Sequence, residues 1–503
     1  MNDTRGSIDY ADVQGLVRFG YKHMTEGCYY VLRIRDAAAA RSWLAGAPIA
    51  SALEIKPPPP TAVQVAFTAE GLRALGVPAR AVEGFSTEFL TGAAGDENRL
   101  RRLGDVGSDA PSQWEWGAGA RAAHVMVMLF AEPGRLEGLR QSLLGQGWNA
   151  AFEEVCCLDT SDLGGFEQFG FMDGVSQPQP DWDLARNVVG DKVTYENVVA
   201  LGEFLLGYKN EYGKYTERPV LAADAASAAL ADAQDAPGKK DLGRNGTYLV
   251  MRSLRQDVRG FWRYVQSQAG GQSDDQDALA ALLVGRKRAG DPLLPIRERS
   301  IPGVGTDPEH VRLNQYTYDG DPQGARCPFG AHVRRANPRN ADYVDRPSGL
   351  IARVGEMLGF ARKSFRGDVI SSVRFHRLLR RGREYGPKLT PADALLPAPP
   401  DDAERGLRFL CLNANISRQF EFVQNAWMMS SKFNGMTGES DPLLGNRLPI
   451  AGGLSTDAFT IPRDGGVARC LRSMPHFVAV RGAAYFFLPS LRAFGYFIGK
   501  GNA

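Results

Sequence analysis

The sequence predicts an α+β fold of two similar units, each an antiparallel sheet flanked by helices. Three observations carry that expectation. A chain of 503 residues is too long for one ordinary core, and at about 150 residues per domain two to three domains are expected. Short runs of alternating apolar and polar residues are separated by helical runs, the pattern of half-buried strands interleaved with helices. The order of these runs in the first third of the chain begins again near Thr247.

In the first cycle, residues 29–35 (YYVLRIR) alternate as a strand and residues 37–45 follow as a helix. The prolines at 57–60 break the chain before a second alternating strand at 62–68, and the short helical run at 69–75 reads as an insertion. Residues 124–130, 134–144 and 152–158 then supply strand, helix and strand. Strand, helix, strand, strand, helix, strand is the ferredoxin-like order. From 162 to about 245 the pattern weakens, and the alanine-rich run 221–236 reads as a solvent-facing helix. The connection between units is placed here, giving domains 1–240 and 241–503. The second cycle comprises a strand at 247–252, a helix at 257–266 with Asp257 as its N-cap, strands at 369–378 and 407–413, a helix at 418–428, and a closing strand pair at 477–480 and 484–488. A long irregular span, 270–367, interrupts it, and long ordered loops are usually functional.

Composition narrows the function classes. Hydrophobic content of 44% and charged content of 23% are those of a soluble globular protein. A net charge of +2 provides no strong field for nucleic acid or anionic membrane, so neither is expected as a partner. No run approaches the roughly 20 apolar residues that span a bilayer. The opening MNDTRGSIDYADVQG carries neither an apolar run nor a twin arginine, and a cytoplasmic location is the expectation. Six cysteines without a CxxC pair fit a reducing compartment, and adjacent Cys156 and Cys157 are expected on opposite sides of a strand as inert core thiols.

The irregular span holds the stretch Gly324 to Arg339, GARCPFGAHVRRANPR, in which His332 sits among glycines, prolines and four arginines. Pro328 and Pro338 limit it to a turn leading into at most a short helix. Arg326, Arg334, Arg335 and Arg339 offer planar forks to carboxylates, which suits a ligand carrying both a metal and acid groups. A histidine hydrogen-bonded in a polar loop, with its arginines in surface ion pairs, fits the same residues. Two further segments stand at a distance: FEQFGFMDGVSQP around Gly170 to Gly174, and HRLLRRGREYG from His376 to Gly386.

Together these segments resemble dye-decolorizing (DyP-type) haem peroxidases. CPFGAHVRRANPR is similar to that family's proximal haem-ligand segment, GFMDG to its GxxDG motif and HRLLRRGREYG to its distal-arginine segment, in the family's order. His332 lies 159 residues after Asp173 and 48 before Arg380. The resemblance also covers DVQG at Asp12, GTYLVMRSLRQDV at Gly246 and FEFVQNAWM at Phe420, and so spans most of the chain.

The resemblance implies two ferredoxin-like domains, with haem b held mainly by the second, and hydrogen peroxide and an organic electron donor such as a dye or phenol as partners. It implies oxidation by way of a ferryl intermediate. His332 becomes the proximal iron ligand, Asp173 the distal acid–base carboxylate and Arg380 the distal cation, with Arg381 one residue out of register. Gly170 and Gly174 would let backbone approach the porphyrin, Arg334 would meet its acid groups, and Leu407 and Phe409 would cover its distal face. The family's carboxylate on the second imidazole nitrogen falls near NANISRQFEF, where Ser417 stands with Glu421 one helical turn on. His376 reads as structural. The competing class is a haem-binding or haem-handling protein, including one that removes iron from haem, with little turnover. A hydrolase lacks a GxSxG elbow and a nicotinamide enzyme lacks a strand-linked GxGxxG.

Overall fold

A computed structural model describes residues 7–145, 147–186, 195–270, 273–340, 373–448 and 455–500. Strand β1 (Glu26–Ile34) leads into helix α1 (Ala37–Gly46), whose N-cap Asp36 accepts a 2.7 Å hydrogen bond from the Ala39 amide. Such a cap is worth about 1 kcal/mol. Strands β2 (Thr61–Phe67) and β3 (Val125–Ala131), helix α2 (Leu136–Leu144) and strand β4 (Phe152–Asp159) complete the first cycle. They pair in the order β4-β1-β3-β2, all antiparallel.

The second cycle repeats this arrangement. Strand β5 (Thr247–Gln256) precedes helix α3 (Val258–Ala269), capped by Asp257 through the Gly260 amide. Helix α4 (Ser273–Val284) and the five-residue α5 (His332–Ala336) lie within the span expected to be irregular. Short strands β6 (Leu379–Arg380) and β7 (Arg383–Tyr385) both pair with β8 (Gly406–Asn413), and β9 (Val478–Leu488) closes the set in the order β9-β5-β8-β6/β7. The two ferredoxin-like halves join edge to edge where Phe487 of β9 faces Phe67 of β2, giving one nine-stranded sheet.

Both faces of that sheet are buried, which is why β3 reads VMVMLFA with every residue inside. Tyr30, Leu32, Val127 and Leu129 face a core shared with Trp43 of α1 and with Trp148. Tyr29, Val31, Met128 and Phe130 face a second core with Leu16, Phe204 and Leu205. Each fully buried large apolar side chain contributes roughly 1.5–3 kcal/mol. No helix among the described residues is long and apolar enough to cross a membrane.

Four expectations need correction. The alanine-rich run forms no helix: Val220–Ala222 pairs with Lys239–Asp241 as a small hairpin. Its intervening residues turn on reciprocal bonds between Asp224 and Ser227, in which short polar side chains compete with helical backbone bonding. Of the strand expected at 369–378, residues 373–375 form a single 3₁₀ turn, the first residues lie outside the described ones, and the strand begins at Leu379. The closing pair is one long strand with a register break between Val480 and Gly482, a bulge rather than a hairpin. The helix expected at 418–428 is wound as a π-helix over Ser417–Glu421 and Val423–Met429, with Glu421 N bonding five residues back to Ile416 O. Such turns are uncommon and concentrate at functional sites.

Candidate active site

His332 owes its position to the turn before it. The amide of Ala331 bonds the carbonyl of Pro328 at 3.0 Å, and the short helix α5 then starts at His332 itself. Its Nδ1 lies 3.1 and 3.2 Å from the two carboxylate oxygens of Asp441. Asp441 is fully buried and also accepts the amides of Leu443 and Leu444 at 2.9 and 2.8 Å. Burial opposes a charged imidazole, yet the carboxylate outweighs it and raises His332 above the ordinary histidine range. The same contact, against strong burial, holds Asp441 below the usual carboxylate range. His332 lines a cavity of about 250 Å³, and in the neutral ring a proton on Nδ1, facing Asp441, would leave Nε2 as the donor nitrogen.

Asp173 and Arg380 line that cavity too, with Arg380 Nη1 3.5 Å from Asp173 Oδ1. The loop carrying Asp173 is pinned by the bond from its own amide to Gly165 O and by the bond from Met172 N to Arg288 O, each 2.9 Å. Arg380 sits on β6 opposite Cys411 and donates to Ser176 O at 3.1 Å. The neighbouring Arg381 turns the other way and binds the carbonyls of Leu16 and Val17, so of the two Arg380 is the one that lines the cavity. Alternation along β8 puts Leu407 and Phe409 together on the cavity wall. The π-helix adds Phe420, Val423, Trp427 and Met428, so most of the lining is apolar.

No protein-family model matches the chain. Peroxidase 2 of Mycetinis scorodonius is 27% identical over 516 residues, covering 97% of this chain and 87% of that protein. The multifunctional dye peroxidase DyP2 of Amycolatopsis is 29% identical, covering 85% and 80%. The dye-decolorizing peroxidase of Auricularia auricula-judae has a solved structure that superposes with a TM-score of 0.69 at 24% identity, covering 99% of this chain and all of that one. Over most of its length the chain is therefore similar to dye-decolorizing peroxidases, in sequence and in fold. A solved dye-decolorizing peroxidase in complex with 2,6-dimethoxyphenol has the same fold at a TM-score of 0.70 and 22% identity, over 98% of this chain.

Within this fold some expected residues are placed otherwise. Arg334 does not line the cavity: it is buried, bonds Asp321 Oδ2 at 2.9 Å and Cys327 O at 2.6 Å, and stacks on Tyr318. Its fork is consumed in holding the turn before His332. Gly170 and Gly174 do not line the cavity either. Their φ values of 91° and 69° are those that glycine adopts without strain. An added Cβ would meet Arg288 at 3.6 Å in one case and Lys22 at 2.5 Å in the other. Cys156 and Cys157 are half-buried on edge strand β4, not core thiols. The imidazole's carboxylate is Asp441 rather than Ser417 or Glu421. Ser417 opens the π-helix, and Glu421 pairs with Arg99 at 2.7 Å.

Asp441 escapes sequence reasoning because it lies 109 residues from His332 with no local signal. Arg339 and Arg377 lie inside the quoted segments and line the cavity. Neither pairs with a carboxylate among the described residues. Arg339 donates to the carbonyls of Asn314 and Tyr316, and Arg377 to Tyr195 Oη and Asn197 Oδ1. His376, stacked on Phe422 with centroids 3.6 Å apart, also lines the cavity.

Two predictions arise here. Asp441→Ala should weaken haem retention about 10- to 100-fold, because the imidazole loses its anchor, and should destabilise the fold by about 3 kcal/mol through the orphaned Leu443 and Leu444 amides. Haem-dissociation kinetics and thermal unfolding measure both, and an unchanged dissociation rate would discount the anchoring role. The second concerns Glu167, a cavity-lining carboxyl that burial pushes up to about 7 despite bonds from the Phe169 and Phe171 amides and from Gln256. A carboxyl with a raised folded pKa holds its proton after the unfolded chain has released it. Its stabilising contribution is therefore complete below its ordinary 4.5 and declines as pH rises through about 7. Melting temperature should fall less between about pH 5 and pH 8 in Glu167→Gln than in the wild type. Parallel slopes would refute the assignment.

Proposed function

We infer that the protein is a haem peroxidase that reduces hydrogen peroxide and oxidises dyes or phenolic compounds, with haem b as its prosthetic group. One observation carries the reading: an imidazole with Nδ1 anchored on a buried aspartate shares a largely apolar cavity with the Asp173–Arg380 pair. The residues suit the group. The neutral nitrogen of His332 is a donor for ferric iron, the apolar lining accommodates a porphyrin, and Arg339 and Arg377 are cations available for its acid groups. Of the 32 described residues that line the cavity, 24 follow residue 241, which supports a group held mainly by the second half of the chain.

Haem, when bound, supplies the iron that activates peroxide and stores its oxidising equivalents. The chain's own residues divide the remaining work. Asp173 takes the proton from one peroxide oxygen and delivers it to the other, so that water can leave. Arg380, permanently charged, stabilises the negative charge that develops on the departing oxygen. The apolar walls keep bulk water from competing at the site. Retention of both residues favours turnover over mere haem handling.

The test is direct. Protein supplied with haem should show a strong haem absorption band, a change of that band on adding peroxide, and peroxide-dependent oxidation of 2,6-dimethoxyphenol. A haem band indifferent to peroxide would favour the haem-handling reading, and failure to take up haem would reject both.

A further inference from the structure

A thiol pair stands apart from the cavity at the free edge of the sheet. On β1 and β4, Cys28 faces Asp159 and Tyr30 faces Cys157, so the alternation of strand side chains puts all four on one face. The two sulfurs and the Asp159 carboxylate lie within 4.8 Å of one another. Arg140 reaches in from α2: its Nε donates to Tyr30 Oη at 2.9 Å, its Nη2 approaches Cys157 Sγ at 3.8 Å and its Nη1 approaches Asp159 at 3.8 Å. Cys28 is completely buried, whereas Cys157 is half-buried on the last strand of the sheet, where solvent has access.

Two sulfurs and a carboxylate invite comparison with a metal site, but the guanidinium decides against it. It already balances the negative charge there, and its own charge would repel a dication. The same guanidinium favours a thiolate at Cys157.

We propose that Cys157 and Cys28 form a peroxide-responsive dithiol, with Cys157 as the attacking thiol and Cys28 as the resolving one. The Cys157 thiolate attacks one oxygen of hydrogen peroxide, the O–O bond breaks, and the sulfur becomes a sulfenic acid as one water leaves with a proton. The Cys28 sulfur then attacks that sulfenic sulfur, its proton departs with the hydroxyl as a second water, and a disulfide remains. Two thiols and one peroxide thus give one disulfide and two waters. The proposal takes hydrogen peroxide as its oxidant, and rests on the peroxidase reading only in that this is the substrate inferred above.

The asymmetry of the pair supports this division of roles. The hydrogen bond from Cys28 draws Cys157 below the ordinary thiol range, with Arg140 acting in the same direction against burial and Asp159. Cys28 is pushed up by the same bond and by burial. Geometry also implies a reversible bond. The two cysteines are diagonal rather than directly opposite, at positions whose Cα atoms are typically about 7–8 Å apart, beyond the usual disulfide span of about 4.4–6.8 Å. Closing the bond would pull β4 toward β1, and a strained disulfide is readily reduced.

The experiment treats reduced, haem-loaded protein with a small excess of hydrogen peroxide, blocks remaining thiols with N-ethylmaleimide, and maps peptides by mass spectrometry without reductant. The expected result is a cross-link between the peptides carrying Cys28 and Cys157, lighter by two hydrogens and reversed by dithiothreitol, while the exposed Cys470 remains alkylated. In Cys28→Ser, dimedone should trap a sulfenic acid at Cys157, and in Cys157→Ser no link should form. Finding both cysteines alkylated after peroxide, or Cys157 over-oxidised beside a free Cys28, would overturn the proposal. The thiol readout is independent of haem chemistry, so a cross-link in a protein without peroxidase turnover would uphold this inference while rejecting that function.

Discussion

Exchange of His332 for alanine is expected to abolish stable haem binding, visible as loss or broadening and shift of the main haem band, and with it all peroxide-dependent oxidation. The expectation is strong because His332 is the one cavity-lining imidazole with a buried carboxylate on its far nitrogen among the described residues. His376, which also lines the cavity, commits its Nδ1 to the Arg418 carbonyl and stacks flat on Phe422, so it is poorly placed to substitute. Asp441 should remain folded in the variant, since the Leu443 and Leu444 amides still bind it, although it loses a partner and its charge becomes costlier to bury. Adding free imidazole to His332→Ala should restore part of the haem spectrum by refilling the vacated space. A variant that keeps the wild-type band would show that iron is held elsewhere.

Asp173→Asn should slow the reaction with hydrogen peroxide by roughly 10²- to 10⁴-fold, the range associated with removing a positioned acid–base group, while leaving haem content unchanged. Asparagine keeps the shape of the side chain but cannot take a proton. Arg380→Leu removes the charge that faces the departing oxygen, and an effect of about 10²- to 10³-fold is expected, by analogy with the loss of one transition-state donor. Because the two groups are 3.5 Å apart, their effects should not be additive: each single variant also frees its partner from the pair. Stopped-flow measurement of the peroxide step in both single variants and the double variant tests this. Fully multiplicative losses would mean that the residues act independently, and a wild-type rate in Asp173→Asn would remove it from the mechanism.

What the sequence by itself determined is local. Alternation placed β1 to β4, β5 and β8 within about four residues at either end, because a strand with a buried face must repeat its apolar residues at every second position. Asp257 announced the start of α3, because a carboxylate at that point satisfies an amide that the helix leaves free. His332, Asp173, Arg380, Leu407 and Phe409 were singled out by the resemblance of their segments to a known family, because a polar-loop histidine, a turn carboxylate and ordinary sheet core fit the same residues by local pattern alone.

The tertiary structure decided everything that depends on a partner far along the chain. The arginines 334, 335 and 339 look alike in the sequence, yet Asp321 claims the first, the carbonyls of Trp427 and Glu439 claim the second, and only the third reaches the cavity. Asp441 becomes the histidine's anchor because Arg335 ties the π-helix to the segment that precedes it. Cys28 and Cys157 meet only once two strands have taken their register. Backbone preference acts over a few neighbouring residues, whereas hydrogen bonds and ion pairs are chosen by proximity after folding, and proximity between distant residues has no local trace in the chain.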